Sequence, residues 1–151
     1  MSLAVAKKIQ SDREQIDALF EQLNRAYAEH NADAIVSAYT RDAVIYDLAP
    51  PLMHRGLDTK CLAEWLATWD GPLGMDMKDF EITIDENLAV ATALSKLWGH
   101  KEGEDKEFWI RTSWALRKMH GQWLISHDHG SVPFYMDGSF RAAVDLTPES
   151  K

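Results

Sequence analysis

Only one cysteine, Cys61, occurs among 151 residues. That excludes an internal disulfide framework and a cysteine-built zinc cage, and it suits a reducing compartment, so a cytoplasmic location is the expectation. Basic residues are also scarce: 16 Lys and Arg stand against 24 Asp and Glu, giving a formal net charge of −8. They are scattered rather than striped, so the chain offers no footprint for nucleic acid and no attraction to an anionic membrane. Long apolar runs are missing, and no window approaches the ~20 apolar residues of a membrane span. The opening stretch MSLAVAKKIQSDREQ soon turns charged, without an apolar core followed by a cleavage site, so no leader is expected. Internal repeats and low-complexity stretches are absent as well.

What is present suits a single cored domain over 1–151, with 136–151 as a tail laid on its body. Hydrophobic residues make up 46% and charged residues 26%, enough for a chain of this length to bury roughly two-thirds of its unfolded surface. The first half has helical period. Ser11 and Glu14 form a capping box, and Ile16, Leu19, Phe20, Leu23 and Tyr27 then recur along one face as far as His30. A second helix, NADAIVSAYT, can be capped by Asn31 or Asp33. RDAVIYDLAPP then alternates as a short strand near 43–48 until Pro50 and Pro51 stop it. A third helix starts near Asp58, with Leu62, Trp65, Leu66 and Trp69 at helical spacing. After Gly71 the period becomes two. Four runs, 75–84, 88–100, 106–119 and 122–132, are joined by the turns DEN, KEGED and HG, which predicts an antiparallel meander. Three N-terminal helices packed on a strongly curved antiparallel sheet make an α+β fold with a cone-shaped interior.

The stretches NADAIVSAYTRDAVIYDLAPPLMHRG (31–56) and RTSWALRKMHGQWLISHDHGSVPF (111–134) carry a family resemblance. The first resembles ketosteroid isomerase and the SnoaL-like proteins of the nuclear transport factor 2-like superfamily. The second is similar to the last hairpin of SnoaL-like proteins and of the association domain of calmodulin-dependent kinase. Such a resemblance implies a cone-shaped α+β barrel, usually dimeric. It leaves activity wide, because members include isomerases, cyclases, dehydratases, hydrolases and modules without chemistry.

Asp47, among apolar neighbours at a strand end, is the first candidate general base: loss of water there would raise its pKa. Its position matches the proton-shuttling aspartate of ketosteroid isomerase. The competing expectation is that Asp47 caps the proline turn or pairs with an arginine. The isomerase's oxyanion tyrosine falls at Leu23 and its second aspartate near Ser113 or Trp114, so steroid isomerisation itself is not implied. Tyr27, Tyr39 and Tyr46 could substitute if their hydroxyls point inward.

The HDH triplet places His127 and His129 on one strand face about 7 Å apart, close enough to share a metal ion. No third ligand is visible, so neither a metal nor any other cofactor is expected. A type I turn with Gly121 as bulge residue sets Arg111 opposite His129 and Ser113 opposite His127. A two-residue turn at His120-Gly121 sets Thr112 and Trp114 there instead. The polar stripe Arg111, His127, His129 and Ser131 favours the inner face, as a group assisting Asp47. The kinase-domain analogy instead puts Trp114, Ser126 and Gly130 inside and the histidines at a dimer interface. Tyr27, Tyr39, Trp65, Trp69, Trp98, Trp109 and Trp114 would line the cone as walls for a flat, hydrophobic small molecule. The second sheet face, drawn from Trp109, Ala115, Trp123 and Ile125, would bury itself in a homodimer. The function expected is small-molecule binding, with isomerase, cyclase or hydrolase chemistry through Asp47, or alternatively a non-catalytic ligand-binding or dimerisation module. The charges of DREQID are read as a solvated face.

Overall fold

A computed structural model describes residues 1–150. Helix α1 spans Leu3–Ala28, with Ser2 accepting from the Val5 amide as its cap. It therefore begins a full two turns before Ser11, which lies inside it and accepts from Gln15. Asp12, Ile16, Phe20, Leu23 and Ala26 form its buried stripe. The stripe is helical in period, as expected, but it starts with a carboxylate. Helix α2 (Ala32–Ser37) is capped by Asn31, and α3 (Thr59–Leu66) by Asp58, each accepting a backbone N–H three residues on. The third helix follows two strands rather than preceding the sheet.

Those strands are β1 (Tyr39–Tyr46) and the two-residue β2 (His54–Arg55). The long strands β3 (Gly74–Asp85), β4 (Leu88–Lys101), β5 (Glu104–Met119) and β6 (Gln122–Ser131) follow as the expected meander. Two of its turns, Glu102-Gly103 and His120-Gly121, have both residues at positive φ, the mirror-image hairpin turn that fits strand twist. The sheet order is β2-β1-β6-β5-β4-β3. One feature corrects the expected antiparallel sheet: β1 runs parallel to β6, making the sheet mixed. β1 also begins four residues earlier than the alternation suggested.

The inner face packs on α1. Phe20 meets Trp114 edge-on at 4.8 Å and Phe80 at 5.2 Å. Ala89, Ala91 and Ala93 of β4, Leu116 of β5 and Ile125 of β6 complete the core. Trp123 and Ile125 belong to this core, only 4% and 0% exposed, so they are not part of an outer dimer face. Trp109 and Ala115 lie elsewhere in the sheet and are half-buried. The tail folds back along the body: Phe134 bridges Ala142, and Ala143 is buried.

Two bulges within the meander bend the sheet. One interrupts β3 between Lys78 and Glu81. The other inserts Ser126 into β6: Leu116 pairs with Ile125, but Ala115 pairs with His127. Ser126 Oγ donates to the Ala115 carbonyl at 3.1 Å, holding the extra residue in place. No helix of the described residues is long and apolar enough to cross a membrane.

Candidate functional site

The Ser126 bulge decides which side chains of HDH face the helices. Strict alternation from Trp123 and Ile125 would carry His127 and His129 inward; one inserted residue reverses the phase, and Asp128 goes in instead. The hairpin turn is the two-residue one, but neither expected register survives the bulge. Trp114 pairs with Asp128, Ser113 with His129, Ala115 with His127 and Arg111 with Ser131.

Asp128 meets a line of hydroxyls. Tyr39 donates to its Oδ2 at 2.7 Å. Tyr27 stands next to Tyr39 behind this bond, close enough for each phenol to affect the other's proton. The elements explain the convergence. Tyr27 sits in the last turn of α1, Tyr39 opens β1 after the short α2, and Asp128 lies on β6 opposite Ile45. Burial pushes the Asp128 carboxyl up to about 6, and the Asp47 charge adds to the rise. Hydrogen bonds from Tyr39 and Trp114 and the charge of His127 pull the other way. Burial likewise raises Tyr39 well above an ordinary phenol, reinforced by the Asp128 charge, and Tyr27 is raised by burial and by both carboxylates. The arrangement can hold a proton on a carboxyl near neutral pH, with two hydroxyls behind it.

Other expected site residues lie differently. Asp47 is exposed, not desolvated, and its Oδ1 accepts from the Leu48 amide at 2.7 Å. This is the turn-capping alternative, although its charge still reaches Asp128 and Tyr27. His127 and His129 form a ring cluster with Tyr46, at centroid separations of 5.0 Å and 5.4 Å from that tyrosine. His127 Nδ1 donates to the Val44 carbonyl at 2.8 Å. Arg111 is exposed beside Trp109 and Leu146, at a narrow groove under the tail. None of these three side chains shares the face of Asp128.

The tryptophans divide as well. Trp114 is buried beside Asp128. Trp69 packs over Gly99, and Trp65 is 43% exposed. Trp98 donates to Asp76 and lines a cavity of about 460 Å³ with His100 and Asp105, at the β4–β5 hairpin. Trp109 lines the groove under the tail. Trp65, Trp98 and Trp109 are thus not walls of the Asp128 site. Among the described residues, no three His, Cys, Asp or Glu groups are placed to share a metal ion.

Asp128 is the residue that sequence reasoning passed over. A signal existed in the inward set Trp114, Ser126 and Gly130, since Asp128 has the parity of Ser126 and Gly130.

A SnoaL-like domain model matches residues 16–135. The chain belongs to the SnoaL-like domain family. Its fold is shared by a nuclear transport factor 2-like protein of unknown function from Pseudomonas putida KT2440, at 25% identity and a TM-score of 0.81, covering 92% of this chain and 98% of that one. A candidate scytalone dehydratase from Novosphingobium aromaticivorans is similar at 13% identity and a TM-score of 0.73, covering 91% and 94%. A candidate calcium/calmodulin-dependent protein kinase II association domain from Xanthomonas campestris is similar at 19% identity and a TM-score of 0.65, covering 77% and 84%. No curated protein matches the sequence. This SnoaL-like chain thus has neighbours named for chemistry and for assembly on one scaffold.

Proposed function

We propose that this SnoaL-like chain is an acid–base enzyme for a small apolar carbonyl or hydroxy compound, of isomerase, cyclase, dehydratase or hydrolase type, in which side chains alone carry the proton. The observation behind this reading is the Tyr39–Asp128 hydrogen bond with Tyr27 beside it, on a carboxyl whose proton is held to about pH 6. A carboxyl poised there both gives and takes protons at neutral pH. In the simplest step, neutral Asp128 gives its proton to a carbonyl oxygen while the Asp47 carboxylate takes one from the adjacent carbon. The C–H pair becomes the C=C bond and the carbonyl π pair becomes the new O–H bond. Return of a proton to a different carbon completes an isomerisation. Asp47 thereby changes from the sole base to the outer partner of Asp128, whose environment separates their proton affinities.

Deuterium incorporation into small apolar ketones, followed by NMR in D2O, tests this reading without knowledge of the natural substrate. Wild type should exchange the proton next to the carbonyl, and Asp128→Asn should slow exchange about a hundredfold or more. Equal exchange by both proteins would remove Asp128 from the chemistry.

A second reading is a non-catalytic binding module. It is favoured by the engagement of Asp47 with the Leu48 amide, which ties up one oxygen of the proposed base. It predicts ligand binding without exchange. On either reading we propose a homodimer through the outer sheet face, where Val90 and Leu88 stand more than half exposed. Light scattering at micromolar concentration should give twice 17.2 kDa; a monomer mass would reject the dimer.

A further inference from the structure

Arg111 takes no part in the Asp128 site. It lies on the opposite face of the sheet, because β5 alternates and its neighbours Ile110 and Thr112 are the buried ones. On that outer face the tail returns across the strands. The Ala143 amide donates to the Pro133 carbonyl at 2.9 Å, the Tyr135 amide donates to the Arg141 carbonyl at 2.9 Å, and Lys78 pairs with Glu149. Between tail and sheet runs a groove of about 160 Å³, walled by Leu94, Trp109, Pro133, Leu146 and Pro148. Of the described residues that line it, only Arg111 is charged. The two prolines have no N–H to offer and hold φ fixed, so the tail side of the groove is stiff and apolar. The strand side is set by register: Leu94 stands opposite Arg111, and Trp109 opposite Lys96.

Charge and size together select an occupant. Among the described residues no carboxylate lies within ion-pair distance of Arg111, so its fork of donors is open. One guanidinium matches one carboxylate through two parallel N–H···O bonds. A dianion such as phosphate would find no second cation among the lining residues. The rest of the space is short and apolar: at the ~30 Å³ that a water takes in the liquid, it holds about five methylene-sized groups. We infer that this groove is a second binding site, for a short aliphatic monocarboxylate whose carboxylate is held by Arg111 and whose chain lies under the tail against Leu94, Trp109 and Leu146. A longer chain would have to lift the tail from the sheet. The inference is independent of the acid–base reading, because the groove and Asp128 lie on opposite faces of the sheet.

The test uses the purified full chain at neutral pH, with hexanoate as the probe and hexanamide, acetate and inorganic phosphate for comparison. Binding is followed by nitrogen-15 NMR of the six tryptophan indole N–H groups, the Trp109 signal being the one lost in Trp109→Phe. Hexanoate should move that signal. Hexanamide has the same chain without the charge, and acetate has the charge without the chain, so each should bind about tenfold or more weakly. Phosphate should not compete. Arg111→Gln should weaken hexanoate about tenfold and leave hexanamide unchanged, with a melting temperature near wild type because Arg111 is exposed. Arg111→Lys keeps the charge but not the fork, and should fall between the two. A Trp109 signal that stays still, alone or while another indole moves, overturns the site. So does equal binding of hexanoate and hexanamide, competition by phosphate as strong as that of hexanoate, or unchanged hexanoate affinity in Arg111→Gln. The comparison of hexanoate with hexanamide needs no variant, so it decides the matter even where a substitution fails to fold.

Discussion

Two aspartates point into the protein, and their surroundings push them in opposite directions. Asp12, 2% exposed on α1, receives the Lys118 ammonium at 2.6 Å and the Trp123 indole N–H at 3.1 Å. Burial raises its pKa, but those donors and the Lys118 charge outweigh it, and Asp12 lies below the usual carboxylate range. Asp128 meets a tyrosine and an indole but no lysine or arginine, and burial wins. Hydrogen bonds alone leave a buried carboxyl protonatable, whereas a cation fixes it as an anion. The first arrangement joins α1 to the β5–β6 hairpin; the second keeps a movable proton.

The two sites should differ most in what neutral substitution does. Asp12→Ala removes one partner of a largely buried pair and strands Lys118, so stability should fall by about 3 kcal/mol. Thermal and urea melts of the variant measure the loss, and a cost below about 1 kcal/mol would make Asp12 no different from a surface charge. Asp128→Asn should do the reverse at neutral pH. The native carboxyl titrates near 6 against 3.8 unfolded, so the folded state holds the extra proton between these values. Stability therefore falls as pH rises through that window, by about 3 kcal/mol at most. Asparagine escapes the penalty. The variant should be more stable than wild type at pH 7.5 and lose its advantage near pH 4, as paired melts would show. Asp12 has the opposite linkage: its contribution is present above 3.8 and is lost as pH falls through its lowered native value.

How much of this contrast the sequence carried depends on the range of each cause. The stripe of Ile16, Phe20 and Leu23 and the HG turn are local patterns, and they were readable. Asp12 looked like one charge of DREQID because its partners Lys118 and Trp123 lie 106 and 111 residues away. Asp128 was obscured by a single inserted residue, Ser126, whose bulge no alternation rule announces and which exchanges the two faces of HDH. The parallel pairing of β1 with β6, which brings Tyr39 against Asp128, is equally a tertiary outcome.

A smaller effect sharpens the comparison. Asp47 is a like charge beside Asp128, so Asp47→Asn should move the Asp128 midpoint downward while leaving the melting temperature near wild type. No movement in a titration of the variant would place Asp47 outside the site.

The central claim is that Asp128 keeps its proton up to about pH 6 inside a folded, hydroxyl-lined site. Carbon-13 NMR of the aspartate carboxyl carbons across pH 3 to 8, assigned by the loss of one resonance in Asp128→Asn, measures this directly. The account predicts a midpoint near 6 for Asp128, with Asp12 ionised well below it. A midpoint for Asp128 at or below 4 would contradict it.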